Sequence, residues 1–380
     1  MMIRRILKGS AGLLFTLTIL AIVIYIATAP QRPAPGAASA IWLEDGHYSV
    51  GTKEHVFIDE YRTTNENRGF QGKPTRSFQT WIWYPENNEE EHPLIIHSHG
   101  IISQGNELAN VAERLASHGY VVAAANYPLT SGSTEGGANA NDVVNQPADV
   151  SFLIDSMVSL SGDDKPFNGT IDPNRIGLSG FSLGGLTTVL ATYHPRWRDP
   201  RVSAAISIAG PINSFTSRFY DTTDIPFLGV YGTADALIDY QTNGQIIPDR
   251  VKNSTLVTIE GGSHLGFLAL ADPAFRFMHN PDTIGCQGVL AALDQGTEEV
   301  YISIGTEAEG VVIDPTAPEV CANLPPREAS HPGRQGMILE IAVLAFFESV
   351  FGDSTEIQRA ASYQLEKSLA ADFNEAHFHN

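Results

Sequence analysis

The fold is decided by residues 175–185, RIGLSGFSLGG, in which a G-x-S-x-G pattern is centred on Ser182. The apolar run 176–178 before the pattern predicts a buried strand, and the apolar residues after it predict a helix. A strand, a sharp turn and a helix in this order project a serine from a sheet edge, and Gly180 and Gly184 remove Cβ atoms that would collide at that turn. In a chain with 34 glycines the pattern also arises by chance, so its meaning depends on the rest of the sequence.

Strands and helices alternate around this stretch. From position 93 onward, short apolar runs such as 94–96 are separated by amphipathic segments such as 141–160. This alternation predicts an α/β fold with a mostly parallel central sheet and helices on both faces. Before it, residues 47–59 and 77–84 alternate in the two-residue pattern of an antiparallel pair of strands.

The C-terminal part of the chain returns to helical periodicity. Apolar residues recur at helical spacing over 337–351, which predicts the last core helix, and 354–373 predicts a further amphipathic helix. His377 and His379 follow it and are interpreted as part of a solvated tail.

Two later strands each end in a glycine-containing loop that carries a titratable side chain. Asp235 follows the apolar strand 227–231, and His264 follows the strand 255–260. A serine nucleophile needs a histidine to take its proton and a carboxylate to orient that histidine. Because parallel strands end at one edge of a sheet, we expect Ser182, Asp235 and His264 to meet there as a catalytic triad, in the chain order serine, acid, histidine.

Three other carboxylates compete with Asp235 for the role of the acid. Asp224 precedes its strand and would lie at the wrong end of the sheet, and Glu260 ends the strand before the histidine loop. Asp239, four residues after Asp235, is the serious alternative.

Backbone amides are expected to complete this site. Leu183 begins the predicted helix after the serine, so its N–H points toward a substrate oxygen. Ile101 follows Gly100 in the loop after the strand 94–96, and its amide is the second predicted oxyanion donor. The neighbouring His97 and His99 are interpreted as braces of this loop rather than metal ligands, because no carboxylate or cysteine accompanies them at ligand spacing. We predict neither a cofactor nor a metal.

Together these motifs resemble the dienelactone hydrolase-related branch of the α/β-hydrolase superfamily. Within it, the chain most resembles bacterial hydrolases akin to platelet-activating-factor acetylhydrolases, and 115–122 and 261–264 are similar to cutinase-like polyester-hydrolysing enzymes. The resemblance implies an α/β-hydrolase fold and covers roughly residues 75–267. A serine stands where dienelactone hydrolases have a cysteine, so their own activity is not implied. The motifs that carry the resemblance are Ser98-His99-Gly100, 171–177, 180–185, 232–235 and 262–264.

These residues predict a serine carboxylic-ester hydrolase that acts on a small or lipid-like ester through an acyl-enzyme. A serine peptidase would normally carry a large accessory domain before the hydrolase fold, and 37–75 is too short for one. A catalytically silent binding module is the other alternative, although such proteins typically lose a triad member and none is missing here.

The N-terminus has the pattern of an export segment. Basic residues at 4, 5 and 8 precede the uncharged apolar run 11–29, which is long enough to span a bilayer and places the rest of the chain outside the cytoplasm. The pattern favours an uncleaved membrane anchor over a signal peptide cleaved near Ala40. We therefore expect an anchor or signal with a Pro/Ala-rich linker at 1–40 and a hydrolase domain at 41–380. The formal net charge of −20 argues against a nucleic-acid partner.

An insertion at 268–336 interrupts the hydrolase pattern directly after His264. It contains Cys286 and Cys321, which in an exported protein predict one disulfide, two buried thiols being the alternative. A long connection without regular structure is usually functional in a compact domain. We expect a cap over the acyl pocket, with a solvated loop packed elsewhere as the alternative.

Overall fold

The computed structural model divides the chain into two units, Met1–Arg32 and Pro33–Asn380. All strands and helices named below belong to the second unit. The residues that the structure describes are 16, 18–20, 22–160, 165–293 and 298–380.

The predicted membrane span, 11–29, lies partly outside the described residues, as do the basic residues before it. Of this stretch the structure describes helical backbone at 16, 18–20 and 22–27. No helix in the part of the chain that the structure describes is long and apolar enough to cross a membrane.

The described part of the second unit is built on a nine-stranded sheet in the order β1-β2-β4-β3-β5-β6-β7-β8-β9. Strands β4, β3 and β5 to β8 run parallel, while β1, β2 and β9 join the two edges in antiparallel register. This confirms the predicted, mostly parallel sheet and its opening antiparallel pair. The strands are β1 Val50–Asp59, β2 Arg76–Pro85, β3 Glu91–Ser98, β4 Val121–Ala125, β5 Thr170–Phe181, β6 Val202–Ile208, β7 Phe227–Gly232, β8 Ser254–Ile259 and β9 Ala376–His379.

Helices cover both faces of this sheet because its central strands are buried on both sides. Leu94 and Ile96 of β3 pack into one core with the helices Gln146–Ser159 and Leu183–Tyr193. Ile95 packs into the other core with the helices Ala109–Ser117 and Pro332–Phe351. The helices are α1 Ala109–Ser117, α2 Gln146–Ser159, α3 Leu183–Tyr193, α4 Ser217–Tyr220, α5 Ile247–Arg250, α6 Ala271–Phe275, α7 Asp282–Ala292, α8 Glu298–Ile304, α9 Pro332–Phe351, α10 Thr355–Tyr363 and α11 Leu369–Asp372.

The prediction of a solvated C-terminal tail is wrong. Residues 376–379 form β9, which pairs with β8 through Val257–Phe378 and its neighbours. The two histidines keep exposed side chains, but their backbone groups complete the edge of the sheet. An unpaired sheet edge attracts any extended segment within reach, and four residues are too few to show a strand pattern in the sequence.

The prediction of an irregular insertion is also wrong. Residues 268–336 contain α6, α7 and α8 and the first residues of α9. Helix α7 is amphipathic only weakly, because glycines at 285 and 288 interrupt its apolar face. The insertion is therefore a helical subregion attached to the carboxyl edge of the sheet.

Candidate active site

Ser182 occupies a strained turn between β5 and α3. Its φ of 55° and ψ of −120° are unusual for a residue with a side chain. Its N–H donates to the Ile208 carbonyl at 2.9 Å, which ties the turn to β6. A Cβ at Gly180 would lie 2.0 Å from the Gly184 oxygen, and a Cβ at Gly184 would lie 1.9 Å from the Ser98 oxygen. Only glycine fits on either side of this serine.

Asp235 and His264 meet at the carboxyl edge of the sheet. His264 Nδ1 donates to Asp235 Oδ2 at 2.7 Å, and both side chains are buried. The other carboxylate oxygen accepts the N–H groups of Leu237 at 2.9 Å and Ile238 at 2.8 Å, which orients the carboxylate. This arrangement leaves His264 Nε2 available to accept a proton.

The rival acids are engaged elsewhere. The Asp239 carboxylate accepts the N–H and the hydroxyl of Thr242, both at 2.9 Å. Glu260 is exposed and lies 3.4 Å from His377 Nε2. Asp224 precedes β7 and so lies at the opposite edge of the sheet from His264.

Ser182 and His264 belong to neighbouring loops. The ring of Phe181, next to the serine, lies 4.7 Å from the His264 ring between centroids. Ser182 is 8 % exposed and His264 2 %. Among the described contacts, the Ser182 side chain makes no capping hydrogen bond to α3 and no hydrogen bond to a histidine. Catalytic hydrogen bonds of this kind are often long or poorly aligned before substrate binds.

The electrostatics around His264 favour its protonated form. Burial alone would lower the pKa of His264, but the charge of Asp235 and the hydrogen bond to it outweigh burial, and the pKa is raised above the ordinary 6.5. Two further carboxylates, Asp282 and Glu107, add to this effect. An imidazole in such a setting stabilises the positive charge that it gains when it accepts a proton.

The two backbone amides predicted as oxyanion donors belong to residues near Ser182. Leu183 is the first residue of α3, where an N–H has no partner within the helix. Ile101 follows Gly100, and a Cβ on that glycine would lie 3.2 Å from Ser182 Cβ, so this loop lies directly against the serine. Among the described hydrogen bonds, the Ile101 N–H has no acceptor.

His97 and His99 brace the loop, as their interpretation from the sequence requires. His97 Nε2 lies 3.2 Å from Glu107 Oε1, and that oxygen also accepts the Gly100 N–H at 3.0 Å. His99 Nε2 accepts the Tyr127 N–H at 3.0 Å. The described residues contain no group of three or more potential metal ligands. Sequence reasoning missed Glu107, because an acid in the first turns of a helix normally indicates a solvated face.

A second residue that sequence reasoning missed is Asp282, at the start of α7. Its carboxylate is fully buried. It accepts the N–H of Ala236, in the loop that carries Asp235 (the acid loop), and the N–H of His264, in the loop after β8 (the histidine loop). Nothing in the sequence marks it, since it lies in the insertion, outside every recognised motif. Cys286 on the same helix is bonded to Cys321, with Cα atoms 5.7 Å apart.

Helix α7 lies beside the candidate active site. A Cβ at Gly285 would lie 2.3 Å from Leu265 Cδ1, and a Cβ at Gly288 would lie 2.9 Å from Ile102 Cδ1. The helix therefore contacts the residue after His264 and the residue after Ile101. It spans the distance between the histidine loop and the predicted oxyanion loop.

A mostly parallel sheet with a serine on a strained turn, and with an Asp–His pair at the same edge, defines the α/β-hydrolase class. A family model described as "PETase: PET hydrolase-like" matches residues 65–273, more than half of the chain. The chain belongs to the PET hydrolase-like family. This confirms the predicted fold and the resemblance to esterase-like α/β-hydrolases.

Two individual proteins are similar to this chain. The solved ferulic acid esterase from Streptomyces cinnamoneus superposes with a TM-score of 0.50 over 86 % of this chain and 97 % of its own, at 18 % identity, and so shows the shared fold. The putative esterase NocK from Nocardia uniformis subsp. tsuyamanensis is 34 % identical over 91 residues. That match spans 24 % of this chain and 24 % of the relative.

Proposed function

We propose that this protein is a serine carboxylic-ester hydrolase with a Ser182–His264–Asp235 triad. The observation that carries the proposal is the 2.7 Å hydrogen bond from buried His264 to buried Asp235, at the sheet edge that also holds the strained serine turn. Membership of a hydrolase family supports the same reaction class.

The reaction follows from the atoms at this edge. Ser182 Oγ attacks the ester carbonyl while His264 Nε2 takes its proton, and Asp235 stabilises the resulting imidazolium. The amides of Ile101 and Leu183 stabilise the oxyanion, and the alcohol leaves with the proton from His264. A water molecule activated by His264 then hydrolyses the acyl-enzyme and restores the serine.

We expect a small or lipid-like ester rather than a polymer chain. The serine is 8 % exposed, and α7 lies against both loops that flank it. A polymer needs an open groove along which several units can lie, whereas a small ester needs room for one acyl chain only. The disulfide in the insertion supports an exported protein, because such bonds persist in oxidising compartments.

The test is turnover of p-nitrophenyl esters together with labelling of Ser182 by a fluorophosphonate. We expect hydrolysis of acetate and butyrate esters, labelling of the wild-type protein and none of Ser182→Ala. Hydrolysis of a polyester film should be slow beside that of the soluble esters. A folded sample that neither turns over these esters nor becomes labelled would instead support a binding module.

A further inference from the structure

Asp282 connects the two loops that carry the acid and the histidine. Its Oδ2 accepts the N–H of Ala236 and the N–H of His264, each at 2.9 Å, and its Oδ1 accepts the N–H of Leu265 at 2.9 Å. The side chain is fully buried. Three charge-assisted hydrogen bonds are strong enough to retain a carboxylate in such a place. One carboxylate therefore holds the residue after Asp235 and the histidine itself.

The insertion holds the acid loop from a second side. The Ala236 carbonyl accepts the N–H of Cys321 at 3.1 Å, and Cys321 is bonded to Cys286 on α7. Asn280 Oδ1 accepts the N–H of Asp282 at 2.8 Å, which orients the first residue of that helix. The N–H of Ala236 is thus bound to Asp282 at the start of α7, and its carbonyl is bound to Cys321, which the disulfide joins to the same helix.

We propose that Asp282 is a positioning residue of the triad, which holds the acid loop and the histidine loop at a fixed separation with the help of the Cys286–Cys321 bridge. The inference rests on the proposed function. Glycine is the last residue of β7, at 232, and two glycines at 261–262 lie in the loop after β8. Contacts with the insertion supply the rigidity that a hydrogen bond between Asp235 and His264 requires.

The charge of Asp282 also acts on His264. The charged and titratable groups that face this histidine are Asp235, Asp282 and Glu107, all of which raise its pKa against the effect of burial. Burial and the neighbouring Asp235 raise the pKa of Asp282 itself to about 6. Above that pH it is ionised, so removal of its charge lowers the pKa of His264.

The experiment compares Asp282→Asn with the wild-type protein on p-nitrophenyl butyrate across pH 5–9. We expect kcat to fall by about 10- to 100-fold with KM nearly unchanged, because the amide cannot accept all three N–H groups and the triad geometry loosens. The acidic limb of kcat/KM should move to lower pH. Asp314→Asn is the matched control, since Asp314 lies in the same insertion but accepts only from Thr316 at the surface.

A folded Asp282→Asn protein with wild-type kcat and an unmoved acidic limb would overturn the inference, as would a loss confined to KM. If this variant does not fold, the Cys286→Ser/Cys321→Ser variant decides, because it loosens the same clamp. A lower kcat at constant KM supports the inference there, and an unchanged kcat overturns it. If the proposed function itself is wrong, the wild-type protein will not be labelled by fluorophosphonate, and this result separates that failure from failure of the inference.

Discussion

At the residue scale, the proposed nucleophile is the hydroxyl of Ser182. The side chain is small and makes no described hydrogen bond, so Ser182→Ala should fold like the wild type. We expect a loss of kcat of about 10⁴-fold or more, and a similar loss for His264→Ala. Because triad members act as a unit, the double variant should be hardly worse than either single one. Ester hydrolysis and thermal unfolding check this, and additive losses would count against a shared mechanism.

Asp235 and Asp239 are four positions apart, yet only the first reaches the histidine. Asp235→Asn should lower kcat by about 10³- to 10⁴-fold, because the imidazole loses the charge and the acceptor that orient it. Asp239→Asn is the matched control and should have little effect, since its carboxylate serves only Thr242. Steady-state kinetics of both variants decide the assignment, and the reverse ranking would show that Asp239 is the acid.

The pH dependence of the reaction follows from His264. The imidazole must be neutral to accept the serine proton. Burial lowers its pKa, but Asp235, Asp282 and Glu107 together raise it above the ordinary value. Activity should therefore be lost as the pH falls through a value above the ordinary 6.5. In Asp235→Asn the residual activity should persist to lower pH. The acidic limb of kcat/KM measures both, and a limb at or below the ordinary histidine value in the wild type would contradict the prediction.

At the scale of elements, α7 joins the disulfide to the two loops beside the candidate active site. It carries Cys286 of the disulfide. It contacts Ile102 at one end of the site and Leu265 at the other. On a chain-entropy estimate, a bridge across 35 positions contributes about 3–4 kcal/mol to the order of the insertion. We expect this helix to limit the length of the acyl chain that reaches Ser182.

The Cys286→Ser/Cys321→Ser variant tests that expectation. Without the bridge, α7 should move more freely, longer acyl chains should be accepted, and the insertion should become sensitive to protease. The measurement is kcat/KM across p-nitrophenyl esters of increasing chain length, with the wild type in reducing buffer as a second form of the same comparison. An unchanged profile with unchanged protease resistance would contradict a role of α7 in substrate choice.

At the scale of the whole molecule, stability depends on a carboxyl far from the active site. Glu348 of α9 is buried, and burial raises its pKa to about 7, well above the ordinary 4.5. The protonated form is therefore favoured in the folded state. The protonated carboxyl contributes on the order of 1–3 kcal/mol to the free energy of unfolding, relative to the ionised form. This contribution is fully present below the pKa of the unfolded chain and is lost as the pH rises through about 7.

Glu348→Gln should remove this dependence. As the pH rises from 5 to 8, the melting temperature of the wild type should fall relative to that of the variant, because glutamine carries no charge to bury. Glu366→Gln, at an exposed position, is the matched control and should follow the wild type at every pH. Parallel melting curves for wild type and Glu348→Gln would contradict the raised pKa.

The local sequence predicts the serine turn and the alternation of strands and helices, and it places Asp235 directly after a strand while leaving Asp239 open as the acid. These features are local: two glycines at the turn, apolar runs of strand length, and loops that follow directly from a strand. Local patterns are readable because backbone sterics and side-chain periodicity act within a few residues. The order of the parallel strands then brings their carboxyl ends to one edge.

The tertiary structure alone decided the features that join distant parts of the chain. Glu107 and Asp282 hold the oxyanion and triad loops through backbone N–H groups, and any residue type can supply such a group. The pairing of β9 with β8 and the position of α7 between two loops depend on which surfaces meet after folding. Burial converts these ordinary acids into strong, fixed acceptors, and burial is a property of the assembled molecule rather than of any stretch of its sequence.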